Sequence, residues 1–256
     1  MNNLKCVILA GGLGTRLKES TEFKPKPMIE IGTKPILWHI LKSYYFHGVN
    51  NFVISAGFKS DYIKDYFLHY NALSQDLTIN FKDNKVSYEG STENWKVTIA
   101  DTGLNTLTGG RISKLKKYLT DDDFLCTYGD GVSDVDIKNL YSYHLSHGKI
   151  ATMMIVRQPS RFGVVNVNEN QVVESFKEKP LVDGWVNAGF FVFNKKIFNY
   201  LEDSSILEEE PLKNLASKGE LMAYKHEGFW QAMDTYREQQ ILENLINSGK
   251  APWIKW

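Results

Sequence analysis

A chain of 256 residues is long enough for one large domain with a sizeable core, and 43% apolar with 23% charged residues is the balance of an ordinary globular chain, which excludes wholesale disorder and fibrous repeats. Lys plus Arg (30) balance Asp plus Glu (30), so there is no global basic field for nucleic acid, and an anionic ligand needs a local site. No stretch approaches the ~18 apolar residues of a membrane span and the first apolar run is too short for a secretory signal, so no membrane partner is expected and cytoplasm is the expected compartment.

In chain order, residues 5–9 (KCVIL) read as a buried parallel strand running into the glycine loop AGGLG. Pro35 opens a helix in which Ile36, Leu37, Ile40, Leu41 and Tyr44 recur at helical spacing, and Gly48 can end it. NFVISAG follows as a strand and SDYIKDYFLHY as a helix capped by Ser60. Residues 66–96 alternate in polarity without a helical period, which fits either an excursion from the sheet or an oligomer contact. The helix-then-strand order returns in GGRISKLKKYL and DFLCTYGDG, and in DIKNLYSYHLSHG and KIATMMIV, so the expected fold class is α/β with a doubly wound, mostly parallel, Rossmann-like sheet.

From about residue 157 shorter alternating runs predict a hairpin with its turn at Asn168–Asn170. A central strand (GWVNAGFFVFNKKIF), a short helix (EEEPLKNLASKG), a strand (ELMAYKHEGFW) and an amphipathic terminal helix (TYREQQILENLINSG) follow. With no linker or repeat, residues 1–256 read as one continuous domain: a core over about 1–156, then a smaller hairpin-bearing lobe and terminal helix over about 157–256. Cys6 and Cys126 lie in apolar runs without CxxC spacing and read as buried strand residues of a reducing compartment. None of the six histidines has HExxH spacing.

The loop Gly11-Gly12-Leu13-Gly14-Thr15-Arg16-Leu17 can turn backbone N–H groups toward anionic oxygens. It is neither a P-loop nor a complete dinucleotide fingerprint, because no Gly-Lys-Ser/Thr follows and Leu17 replaces the third glycine. Pro25 and Pro27 hold Lys24 and Lys26 in extended backbone on opposite sides, so only one can easily face a phosphate. Asp130 ends the strand DFLCTYG and should emerge at the carboxyl edge of the sheet, where open α/β sheets bind ligands. Asp234 follows another apolar strand and precedes the last helix. Read locally, Asp130 is a turn residue and Asp234 an N-cap, a role Thr235 can also fill. Read together, two carboxylates plus phosphate oxygens suit magnesium.

AGGLGTRL followed by KPKPM resembles the opening of the sugar-1-phosphate nucleotidyltransferase superfamily. WKVTIADTGLNTLTGGRI, YGDGVSDVDI, EEEPLKNLASKGELMAY and GFWQAMDTYR resemble its cytidylyl-transferring branch, whose members act on glucose 1-phosphate. The resemblance implies that CTP and a sugar 1-phosphate are the partners. It assigns the chemistry to Arg16, Lys26 and Asp130, and Mg2+ to Asp130 and Asp234. Nucleotide binding falls to Leu9, Ala10, Gly11, Gly12, Gly14, Thr15, Arg16, Lys26, Thr106, Arg111, Gly129 and Asp130. The sugar phosphate falls to Glu178, Lys179 and Asn187. Without it, Thr108 reads as a helix cap, Arg111 as a solvated charge, and Glu178 and Lys179 as turn charges.

A homo-oligomer and a place in making CDP-linked sugars for bacterial surface polysaccharides are implied as well. The chain departs from the family pattern at Ala188, at Ala232 and in Gln158–Val164, which bears on the sugar more than on the reaction. The alternatives are another nucleotide or sugar phosphate, or a catalytically silent nucleotide-binding subunit.

Overall fold

The computed structural model describes residues 1, 4–14, 23–90, 92–160, 162–181 and 183–256. Thr15, Arg16, Leu17 and Arg161 lie outside the described residues.

The described elements run β1 (Lys5–Ala10), β2 (Glu30–Ile31), β3 (Lys34–Pro35), α1 (Ile36–Phe46), β4 (Asn51–Ala56), α2 (Ser60–Leu68), α3 (Tyr70–Ser74), β5 (Asp76–Asn80), β6 (Lys85–Glu89), β7 (Lys96–Asp101) and α4 (Thr108–Lys114). Then come β8 (Asp123–Tyr128), β9 (Gly131–Ser133), α5 (Ile137–His147), β10 (Ala151–Val156), β11 (Val164–Val167), β12 (Val173–Lys177), β13 (Val186–Asn194), α6 (Glu210–Ser217), β14 (Leu221–His226), β15 (Trp230–Ala232) and α7 (Tyr236–Asn247).

The central sheet has the order β14-β10-β13-β8-β1-β4-β7. β8, β1, β4 and β7 run parallel, as do β10 and β14, while β13 is antiparallel to both its neighbours. The sheet is thus Rossmann-like and mostly parallel, and it extends from β1 through β14, across residue 156. Both faces of β1 are covered, as the unbroken apolar run of a parallel strand requires. Cys6, Ile8 and Ala10 pack with α1, α5 and α7, whereas Val7 and Leu9 pack with Ile112 of α4 and Leu212 and Leu215 of α6. Because β8, β1, β4 and β7 run parallel, their carboxyl ends share one edge, where the loops of interest emerge. Cys6 and Cys126 are free and buried, as expected for small apolar residues of the sheet.

Several local readings are corrected. Ser60 does not cap α2; the cap position is Lys59, in left-handed backbone and without a side-chain cap bond. The predicted strand 220–230 is two strands, because β15 leaves the sheet to pair with β9. Lys26–Met28 form a 3-10 turn rather than continuing the extended backbone of Pro25. Residues 66–96 hold the end of α2, the short α3 and the β5–β6 hairpin, which turns at Asn84 with φ 50°. The β11–β12 hairpin forms around Asn168–Asn170 as predicted. Among the described residues no helix is long and apolar enough to cross a membrane.

Candidate active site

The strand β8 delivers Tyr128, and the next residue, Gly129, donates from its N–H to Leu9 O at 3.0 Å. A side chain there would be crowded, because a Cβ would lie 3.0 Å from Leu9 O and 3.1 Å from Pro27 Cγ. The chain then re-pairs at once: Gly131 faces Ala232 in the β9–β15 ribbon, and Met233 N donates to Asp130 O at 2.8 Å. That ribbon sets Asp130 beside Asp234, although 104 positions separate them in sequence. Thr235 takes the N-cap of α7 and forms a capping box with Glu238, whose carboxylate also accepts from Asp234 N at 2.7 Å. The cap being filled, the Asp234 side chain is released to face inward.

Both carboxylates converge on Lys26. Its Nζ donates to Asp130 Oδ2 at 2.5 Å and Asp234 Oδ1 at 2.7 Å. Lys24 instead pairs with exposed Glu30 at 3.0 Å, so the two lysines diverge, although the backbone turns at Lys26 instead of staying extended. The Lys26 side chain is 12% exposed, and the carboxylates 28% and 29%. Burial pulls the ammonium pKa down, but Asp130 and Asp234 outweigh it and hold the group above its ordinary value, fully charged. Two carboxylates within reach of one cation are the donor set that magnesium uses together with water and phosphate oxygens. Among the described residues no cluster of three or more metal-ligating side chains forms, so the pair fits an ion shared with a phosphate-bearing ligand rather than a protein cage.

Beside this junction lies a cavity of about 400 Å³. Every described residue expected to hold the nucleotide lines it: Leu9, Ala10, Gly11, Gly12, Gly14, Lys26, Thr106, Arg111, Gly129 and Asp130, joined by Asp234. The solvated reading of Arg111 fails: the residue is 4% exposed. Its Nη1 donates to Thr102 Oγ1 (2.6 Å) and Ala56 O (3.3 Å), and its Nη2 to Gly11 O (2.8 Å) and Leu104 O (3.2 Å). Burial lowers its pKa and the Asp101 charge opposes that shift. The guanidinium is therefore a strut under the glycine loop, tying the ends of β1, β4 and β7 together.

A second cavity of about 430 Å³ shares Thr108, Tyr128, Asp130 and Asp234 with the first and adds Asn187, Ala188, Glu208, Trp230 and Ala232. Thr108 does not cap α4: its hydroxyl donates to Glu208 Oε2 at 2.6 Å and accepts from Leu207 N at 2.9 Å. The Tyr128 hydroxyl donates to the other Glu208 oxygen. Burial and the Glu208 charge drive the Tyr128 pKa far up, keeping it a donor. Asn187 Oδ1 accepts from Gly189 N at 2.8 Å, and Trp230 Nε1 donates to Ala188 O at 2.8 Å. Of the expected sugar-side residues only Asn187 lines a cavity of this junction. Glu178 and Lys179 follow β12, exposed and paired with each other at 3.3 Å.

Sequence reasoning missed Tyr128, Glu208 and Trp230 as cavity walls. The signal was available in part, since YGD and EEEP lie in stretches carrying the resemblance, but their pairing joins residues 80 positions apart.

The family model for nucleotidyl transferases matches residues 5–235. Glucose-1-phosphate cytidylyltransferase of Salmonella typhimurium is 49% identical over 257 residues, covering 99% of this chain and 100% of that one. The probable glucose-1-phosphate cytidylyltransferase of Bacillus subtilis is 44% identical, with the same coverage. HddC from Yersinia pseudotuberculosis, a solved structure 26% identical, superposes with a TM-score of 0.71 over 95% of this chain and 99% of that chain. A solved UDP-glucose pyrophosphorylase, 17% identical with a TM-score of 0.70 over 96% and 99%, shares the fold. With sequence match, fold and the paired carboxylates of the loop edge in agreement, the chain belongs to the nucleotidyl transferase family.

Proposed function

We propose that the protein transfers a cytidylyl group from CTP to α-D-glucose 1-phosphate, releasing pyrophosphate and CDP-glucose. The observation that carries this reading is Lys26 held between Asp130 and Asp234 where two cavities meet. The names and near-complete coverage of the Salmonella and Bacillus relatives support the choice of substrates.

A nonbridging oxygen of the sugar phosphate bonds to the α-phosphorus, the bond from that phosphorus to the oxygen bridging to the β-phosphate breaks, and its electron pair leaves with pyrophosphate. The nucleophile is already an anion, so no strong general base is needed. Asp130 and Asp234 would hold magnesium, which when bound offsets the charge of the phosphates. Lys26 and Arg16 supply positive charge to the developing oxyanions, and Thr15 with the glycine-loop amides holds the phosphates. Asn187 faces a sugar hydroxyl from the cavity wall. Glu178 and Lys179 would reach the sugar phosphate from the base of the hairpin, their exposed mutual pair being cheap to break.

Ala188 and Ala232, both on the wall of the second cavity, favour a second reading for the sugar, a hexose 1-phosphate other than glucose. The free, buried cysteines support a cytoplasmic site of action. A homo-oligomer is supported by β5–β6, whose Leu77, Ile79, Val86 and Tyr88 share one exposed face. The test is pyrophosphate release from CTP, UTP, dTTP and GTP, with glucose 1-phosphate and then a panel of sugar phosphates. CTP with glucose 1-phosphate should turn over fastest. CTP binding without pyrophosphate from any sugar phosphate would replace this reading with a silent nucleotide-binding subunit.

A further inference from the structure

The edge of the sheet has a direction. Asp130 leaves β8, the glycine loop leaves β1, and Thr102–Thr106 leave β7, the outermost strand on that side. A nucleotide laid along this edge with its phosphates at Lys26 extends its base toward Thr106, which lines the same cavity. This step rests on the reading that the cavity takes a nucleoside triphosphate.

The Thr106 hydroxyl has a defined polarity. It lies 2.6 Å from Thr102 O, and a carbonyl oxygen only accepts, so the hydroxyl proton points there. Lys114 Nζ stands 3.1 Å from the same hydroxyl and 3.2 Å from Thr102 O. An ammonium only donates, so it fills one Thr106 lone pair and blocks any rotation that would aim the proton toward Lys114. What remains is a single lone pair, an acceptor. An acceptor is complementary to the 4-amino group of cytosine, a donor, and opposes the 4-keto oxygen of uracil or thymine, an acceptor. Lys114 is itself exposed and lines neither cavity, so it touches no base.

We infer that Thr106 is a specificity-determining residue: with its proton held by Thr102 O and its other lone pair filled by Lys114, its hydroxyl stands as an acceptor, so the cavity selects a base with an exocyclic amine over one with a keto group. The exposed ammonium of Lys114 contributes little to stability; its part is to occupy one lone pair of that hydroxyl.

The test compares CTP with UTP in the intact chain, by titration calorimetry and by kcat/KM for pyrophosphate release. Thr106→Val should lower the CTP-over-UTP preference about tenfold or more, since a site built to bond a polar group discriminates by leaving it unpaired. Lys114→Met should leave it within about threefold of wild type, because Thr102 O still holds the hydroxyl proton. Thr106→Ser should restore it. An unchanged preference in Thr106→Val, or losses equal for the two nucleotides, overturns the inference while leaving cytidylyl transfer intact. Wild-type protein that binds CTP over UTP yet releases no pyrophosphate would sink the proposed reaction and leave the inference standing.

Discussion

Replacing Gly11 with alanine perturbs the site through one atom. The backbone tolerates the change, since Gly11 is not among the positive-φ residues. The new Cβ, however, would stand 2.0 Å from Arg111 Nη1, 2.3 Å from Cζ and 2.8 Å from Nε. A surface arginine would swing aside. This one is held by four oxygens and bounded on another side by Gly57, where a Cβ would come within 2.6 Å of Nη1. Moving the guanidinium breaks at least the two short bonds, to Thr102 Oγ1 and Gly11 O, and a lost bond from a buried charged donor costs about 1.5–3 kcal/mol. The expected destabilisation is therefore about 3–6 kcal/mol, a large share of the ~5–15 kcal/mol that holds a domain together. Urea unfolding measures it, and a CTP titration should show weakened binding because the loop loses its strut. In Gly11→Ala/Arg111→Ala the methyl enters vacated space, so the double variant should be less destabilised than the sum of the singles by at least about 1 kcal/mol. Stability within about 0.5 kcal/mol of wild type for Gly11→Ala, or strict additivity in the double variant, refutes the strut.

Gly189 has φ +77° and a Cβ there would stand 2.2 Å from Tyr128 Cδ2, so Gly189→Ala should displace Tyr128 and impair use of the sugar phosphate more than binding of CTP, read from the two KM values. Glu208→Ala leaves the Tyr128 and Thr108 hydroxyls without their shared acceptor, and should raise KM for the sugar phosphate about tenfold, Glu208→Gln recovering part of that loss. His39 is buried, with Nε2 facing Ile31 O at 3.0 Å and Nδ1 accepting from Trp253 Nε1 at 3.3 Å. Burial, opposed by the Ile31 bond, lowers its pKa from 6.5 to about 4. A depressed pKa means that the unfolded chain binds the proton first. The contribution is thus complete above pH 6.5, falls as pH drops toward 4, and costs about 2 kcal/mol by pH 5. Urea unfolding at pH 7.5 and 5 should show this fall, and His39→Gln should flatten it.

The sheet was legible because its strands are apolar runs separated by helical periods, and Cys6, Ile8, Val7 and Leu9 needed only alternation to be divided between its faces. The Lys26–Asp130–Asp234 cluster was legible for a different reason: its short motifs carry the family resemblance, whereas local chemistry alone made Asp130 a turn residue and left the helix cap open between Asp234 and Thr235, which the structure gives to Thr235. Arg111 and Thr108 were not legible from local rules. Their partners, Gly11 and Glu208, are 100 positions away, and only the closed fold brings an arginine under a loop that its own neighbourhood would leave in solvent. The β5–β6 hairpin was missed although Leu77, Ile79, Val86 and Tyr88 alternate around Asp83–Asn84, because no buried face anchors the pattern and each of these four residues is exposed. Glu178 and Lys179 carry a recognisable motif, yet pair with each other outside both cavities.

The central claim is that Asp130 and Asp234 act as one cation site between two anionic reactants. Magnesium-dependent pyrophosphate release from Asp130→Asn, Asp234→Asn and the double variant tests it most directly. Each single variant should lose on the order of a hundredfold or more in turnover and need more magnesium for half-saturation, while the double should be scarcely worse than the poorer single, as groups that serve one ion are non-additive. Losses that multiply in the double variant, or Asp130→Asn turning over with the wild-type magnesium dependence, would contradict the account.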